Sequence, residues 1–207
     1  MKELIQRYPI LQDCQSQITA AEQALIRCYE KGGKLLICGN GGSCADADHI
    51  VGELMKGFLK RRPLPDEKKE QMRKNCGLVT EDILEKLQGS LPAISLPSFT
   101  ALNTAFCNDV DPDLLYAQAL LGLGREGDVL LAVSTSGNAE NVYHAAVVAK
   151  SLGITVIGLT GRDGGRLREV ADISVCAPET QTYRIQELHL PIYHYLCAAV
   201  ESHFFSR

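Results

Sequence analysis

The sequence predicts an α/β fold, a three-layer αβα sandwich around a five-stranded parallel sheet. Two observations carry this. Five short apolar runs rich in β-branched residues are bounded by turn residues, with helical patterns between most of them. Hydrophobicity is continuous within the runs, not alternating, which implies strands covered on both faces.

Residues 3–30 precede the first strand, with Leu4, Ile5, Ile10, Leu11, Ile18, Ala21, Leu25 and Ile26 at helical spacing. The strands are expected at Leu35–Cys38, Ala93–Leu96, Val129–Val133, Thr155–Leu159 and Ile173–Cys176, and residues 179–205 close the chain as a last helix. One stretch breaks the rhythm. "KRRPLPDEKKEQMRKNCGLVTEDILEKLQGS", residues 60–90, is charged, holds two prolines and ends in a short helix expected at Thr80–Leu87. It reads as an insertion within residues 58–92, either a solvated excursion or a lid or subunit-contact arm near the site.

A chain of 207 residues fits one domain carrying such an insertion. That length buries roughly 70% of the surface its unfolded form exposes, so no staples are needed. Net charge −4 argues against a broad nucleic-acid footprint, leaving only a local basic patch at Lys60, Arg61 and Arg62. Eight cysteines, at 14, 28, 38, 44, 76, 107, 176 and 197, form no CxxC pair, and several sit inside apolar runs. They read as reduced thiols of a cytoplasmic protein. No apolar stretch approaches 18 residues and no signal-type segment opens the chain, so no membrane partner is expected.

Two loops suit an anion. "CGNGGS", with Asn40, Gly41, Gly42 and Ser43, follows the first strand and opens a helix. It is neither the dinucleotide fingerprint, whose third glycine would fall at Cys44, nor a Walker loop, which needs Gly-Lys-Ser/Thr. Alone it is weak, although its glycines permit close backbone approach. "STSGN" is stronger. Ser134, Thr135 and Ser136 align three hydroxyls after a buried strand, Gly137 allows a sharp turn, and Asn138 or Ser136 suits a helix cap. Hydroxyls and the free N–H groups of a helix start converge there on one anion, and phosphate is the expected one.

A third feature resembles a metal site. In "ADADHIVGE", His49 and Glu53 stand four apart on one helix face, about 6 Å along the axis. In "RIQELHLPIYH", Gln186 and His194 stand eight apart, roughly 12 Å along a straight helix. His189, three from Gln186, is an alternative on spacing alone, and Pro191 interrupts the segment. Two imidazoles, a carboxylate and a carboxamide suit zinc or another divalent ion, but spacing does not settle which donors converge.

Together, "GNGGS…DxxH(x3)E", "STSGN", "GRDGG" and "RIQExHxxxxH" closely resemble the bacterial phosphoheptose isomerases of the sugar-isomerase (SIS) domain group. The likeness covers nearly the whole chain except residues 58–92. It implies a flavodoxin-like SIS domain over residues 1–207, assembled as a homotetramer with sites between subunits. The implied reaction is isomerisation of sedoheptulose 7-phosphate to D-glycero-D-manno-heptose 7-phosphate; the other reading is a non-catalytic SIS module that binds a sugar phosphate or scaffolds a partner. The resemblance implies substrate contacts from Asn40, Gly41, Gly42, Ser43, Asn108, Asp109, Ser134, Thr135, Ser136, Asn138 and Gln186. It implies His49, Glu53, Gln186 and His194 as zinc ligands, with Glu53 as base and His194 as acid. The sequence departs from the family pattern at Gly57, where an arginine is usual, at Ala139 in place of a serine, and at Pro191 in place of a lysine. Lys56, Lys60, Arg61 and Arg62 are candidates to replace the missing arginine.

Overall fold

In the computed structural model, which describes residues 1–205, all five expected strands form: β1 Leu35–Gly39, β2 Ala93–Ser95, β3 Val129–Ser134, β4 Thr155–Gly161 and β5 Ile173–Ala177. They build one parallel sheet in the order β2-β1-β3-β4-β5. This is the flavodoxin-type order, in which the chain reverses direction across the sheet between β1 and β3.

The continuous hydrophobicity has the expected cause. Leu35, Ile37, Val129, Leu131, Ile157 and Leu159 face one core, and Leu36, Cys38, Leu130, Ala132 and Val156 face the other. The first core is closed by α1 (Lys2–Arg7), α2 (Gln15–Glu30), α3 (Gly42–Met55) and α10 (Thr182–Phe204). The second is closed by α7 (Leu115–Leu123), α8 (Glu140–Ser151) and α9 (Leu167–Val170). The remaining helices are α4 (Asp66–Asn75), α5 (Glu81–Lys86) and α6 (Thr100–Asp109).

Two expectations are corrected in detail. The N-terminal helical segment is broken by a 3₁₀ turn at Pro9–Cys14, because Pro9 has no N–H to continue α1 and is tolerated only where a new turn starts. The 60–90 stretch holds two helices. The sequence signals α5, where the Thr80 hydroxyl accepts from the Ile83 N–H, but the charged α4 buries no side chain and has no apolar stripe to betray it.

β1 and β3 are joined below the sheet by one carboxylate. Asp128 is buried and accepts from the Lys34 N–H at 2.9 Å, the Arg125 N–H at 2.8 Å and Lys34 Nζ at 2.6 Å. This pins the starts of the two strands at one height, and so fixes where their far ends stop.

His189 lies on the sheet side of α10, fully buried, with Nε2–H donating to the Thr160 carbonyl at 3.0 Å and Nδ1 left without a partner. It is therefore not a ligand candidate. Burial holds its pKa down at about 4, against the pull of the Thr160 hydrogen bond. The unfolded chain, with an ordinary imidazole, takes up its proton first as pH falls. Stability should therefore fall by about 3 kcal/mol between pH 6.5 and 4 on this account alone, and no further below it. Urea unfolding across this range should show the slope, and His189→Gln should lose that part of it; an identical slope in the variant refutes the assignment.

Candidate active site

The site grows from the carboxyl ends of β1 and β3. After β1 the chain turns through Gly41, at φ +56°, into α3; after β3 it turns through Gly137, at φ +68°, toward α8. At Gly137 a Cβ would stand 1.9 Å from the Gly164 carbonyl oxygen, so only glycine fits. That contact comes from the "GRDGG" turn, which braces "STSGN" from behind: Gly161 N–H donates to the Thr135 carbonyl, and Leu167 N–H to that of Gly137.

The two loops are also tied to each other. Asn40 and Asn141 exchange amide hydrogen bonds at 2.8 and 3.2 Å, and the Tyr116 hydroxyl donates to the Gly39 carbonyl at 2.8 Å. Between the loops lies a cavity of about 350 Å³ lined by Asn40, Gly41, Gly42, Ser43, Ser134, Thr135 and Ser136, with Gln186 and Thr182 from α10 above them. Gln186 occupies the space that a side chain at 42 would need, since a Cβ there would lie 2.6 Å from its Nε2.

The expected caps do not form. Ser136 Oγ accepts from the Asn138 N–H, and Asn138 Oδ1 accepts from the Arg166 N–H, so both side chains shape the loop instead. No side chain caps α8 or α3. Two helices of 12 and 14 residues thus start at the cavity with no side chain on their first N–H groups, and their dipoles place positive potential there without a basic side chain in either loop.

Further along the same helix pair, α3 and α10 bring His49, Glu53 and His194 together. His49 Nε2 meets Glu53 Oε1 at 3.1 Å, and the two imidazole centroids lie 5.0 Å apart. His49 Nδ1 faces the Tyr193 hydroxyl at 3.0 Å, which donates to Asp46 at 3.1 Å. Tyr193 was not singled out from the sequence, although it stands beside His194, and Asp46 entered only as the first residue of the DxxH motif, with no role of its own. Burial lowers the His194 pKa and the neighbouring His49 adds to this, while burial raises that of Asp46. His194 Nε2 is buried without a partner.

The full ligand set is not assembled. Among the described residues no group of three or more His, Cys, Asp or Glu side chains is arranged to hold a metal ion, and Gln186 sits over the Gly-rich loop. The donors are nevertheless of the right kind: an orphaned imidazole nitrogen, a second imidazole and a carboxylate, all on two adjacent helices. Asn108 and Asp109 do not line the cavity; they end α6, exposed, with Asn108 Nδ2 donating to Asp109 Oδ1 at 2.8 Å.

Of the candidates for the missing arginine, Arg62 is excluded. It is buried, its Nε 2.8 Å from Glu201, and it donates to the Leu54 and Glu53 carbonyls. Lys56 Nζ lies 3.6 Å from Glu53 Oε2. Position 57 itself has no room. A Cβ on Gly57 would stand 2.4 Å from the Lys60 carbonyl and 2.9 Å from Oε1 of Gln88, which returns from the insertion to accept the Gly57 N–H.

The fold and this two-loop cavity define the class. The SIS domain family model matches residues 3–95 and 90–161. The chain is 40% identical over 171 residues to a phosphoheptose isomerase of Nitratiruptor, covering 83% of this chain and 78% of that one. It is 36% identical over 208 residues to that of Trichlorobacter lovleyi, covering 99% and 93%. The solved phosphoheptose isomerase of Neisseria gonorrhoeae superposes with a TM-score of 0.74 at 31% identity, covering 97% of this chain and 94% of that one. The chain belongs to the phosphoheptose isomerase family, and it is an isomerase.

Because the nearest atom at position 57 is backbone, even Gly57→Ala should cost about 1–3 kcal/mol. Chemical denaturation checks this. Adding Gln88→Ala should restore little of it; a neutral Gly57→Ala would show that the Lys60 carbonyl yields freely.

Proposed function

We propose that the protein interconverts a ketose and an aldose phosphate, with sedoheptulose 7-phosphate and D-glycero-D-manno-heptose 7-phosphate as the pair. The observation that carries this reading is that Glu53 and His194 lie on α3 and α10, the same two helices that supply Gly42, Ser43, Thr182 and Gln186 to the cavity. Ser134, Thr135 and Ser136 with the starts of α3 and α8 hold the phosphate by dipoles and hydroxyls. Asn40, Gly41, Gly42, Ser43 and Gln186 line the same cavity and orient the sugar.

Aldose–ketose exchange moves one proton between C1 and C2 through an enediol, so it needs a base, an acid and an oxyanion stabiliser. Glu53 takes the proton from one carbon and returns it to the other. His194, whose pKa burial and then the neighbouring His49 lower, serves the oxygens as the acid partner. Tyr193 and Asp46 fix the His49 ring through Nδ1. A zinc or other divalent ion held by His49, Glu53, Gln186 and His194 would polarise the sugar oxygens. A carboxylate bound to a cation is a poorer base, so Glu53 serves one of these roles at a time.

The same reading makes the enzyme a cytoplasmic homotetramer. Its eight cysteines are free thiols, and no helix of the described residues is long and apolar enough to cross a membrane. The helix α6 buries no side chain and leaves Phe99 and Leu102 at its start exposed, which suits a face that another subunit covers. Asn108 and Asp109 then complete a neighbour's site.

Glu53→Gln should lower kcat with sedoheptulose 7-phosphate by at least about a thousandfold, while titration calorimetry finds sugar-phosphate binding within about threefold of wild type. Wild-type turnover in the variant would remove Glu53 as the base. Ser134→Ala with Ser136→Ala should instead act mainly on KM.

A further inference from the structure

Outside the reacting groups, the most heavily bonded polar cluster lies where α3 ends. The last four carbonyls of a helix have no partner within it. α3 ends at Met55, and Lys56 turns to extended backbone at φ −138°, ψ 176°, so the turn that carries Glu53 is such a terminus. Arg62 reaches back into it: Nη1 donates to the Leu54 carbonyl at 2.6 Å and Nη2 to the Glu53 carbonyl at 3.1 Å. Its Nε donates to Glu201 Oε1 at 2.8 Å, and the Phe205 ring lies 4.7 Å from the guanidinium carbon. Glu201, near the end of α10, also accepts from the Phe58 N–H and the Leu59 N–H, both at 2.8 Å. The side chains of the pair are 0% and 1% exposed.

A buried ion pair is weak evidence for stability, because desolvation offsets most of the attraction. Its worth is geometric. The rigid guanidinium fork holds two successive carbonyls at once, which an ammonium cannot do. The cluster also receives both ends of the insertion: Gly89 N–H donates to the Arg62 carbonyl at 2.6 Å, and Pro63 bridges to Gln88.

We propose that Arg62 is a positioning residue for the isomerisation: with Glu201 it fixes the last turn of α3, and so the place of the Glu53 carboxylate relative to the imidazoles and the sugar. This rests on Glu53 being the base. The phosphate loops lie at the opposite end of α3 and are held by other contacts, so a displaced last turn changes turnover and leaves substrate binding.

Two variants test it. Arg62→Lys keeps the charge opposite Glu201 but loses the fork, and Arg62→Met with Glu201→Gln removes both charges while an amide oxygen remains to accept a backbone N–H beyond the end of α3. Each is assayed as zinc-loaded enzyme with sedoheptulose 7-phosphate, alongside amide hydrogen exchange over residues 53–59. Folded variants should lose about 10- to 100-fold in kcat, with KM within about twofold and faster exchange in that segment. Wild-type kcat and wild-type exchange in either folded variant overturn the proposal, as does a proportionate change in kcat and KM with loosening throughout the molecule. A wild-type enzyme inactive on every C5 to C7 sugar phosphate would instead sink the isomerase reading, and exchange over residues 53–59 would then decide alone whether Arg62 fixes the helix end.

Discussion

Everything at the site depends on β1 lying beside β3. The register Leu35↔Val129 to Gly39↔Val133 brings the two strands to the same height. The chain leaves β1 for α3 on one face of the sheet and leaves β3 for α8 on the other. Connections that part to opposite faces open a crevice between the strand ends, and only there can two loops face one ligand. The Asn40–Asn141 bridge spans that crevice, and the "GRDGG" turn closes its back through Gly137 and Thr135. The cavity between the loops is thus a consequence of topology, trimmed by glycines at the points where a side chain would collide.

Chemistry is added to the crevice by a helix from the far end of the chain. α10 runs alongside α3 and meets it at three levels. Gln186 lies over Gly42 at the start, His194 and Tyr193 meet His49 in the middle, and Glu201 takes the N–H groups just beyond the end. At 1.5 Å per residue the spacing of 186, 194 and 201 matches that of 42, 49 and the exit from α3. Pro191 sits inside this helix without ending it; the hydrogen bond it cannot donate is lost at a buried position where neighbouring side chains already fix the axis. The cavity lining, the imidazole cluster and the helix anchor are therefore three contacts of one helix pair.

The strands and both loops were legible because each expresses a local rule: burial on two faces, or turn residues after an apolar run. The His49–Glu53 pair was legible for the same reason, since helical spacing is local. What sequence could not show is which face of α10 looks where. His189 matched Gln186 in spacing as well as any ligand would, yet it turns to the sheet and meets Thr160. Asn138 and Ser136 had the chemistry of caps, but the Arg166 N–H, brought near only by the fold, claimed one of them. Arg62 was the hardest. In a run of "KRRP" it reads as solvated, and its burial depends on Glu201, 139 residues away.

That last case joins two departures from the family pattern, the glycine at 57 and the excursion over residues 58–92. The insertion returns through Gln88, whose amide oxygen takes the Gly57 N–H, and Gly89, whose N–H takes the Arg62 carbonyl. The backbone that this closure forms leaves no space for any Cβ at 57, where the family usually carries an arginine. A longer excursion and a missing cation are then one structural choice. The charge nearest Glu53 shifts to Lys56, an exposed ammonium on a flexible stem where the family has a planar fork. An ammonium meets a carboxylate or a sugar hydroxyl as a single mobile point of charge. The cavity, in contrast, is lined by amides and hydroxyls that the fold holds in place.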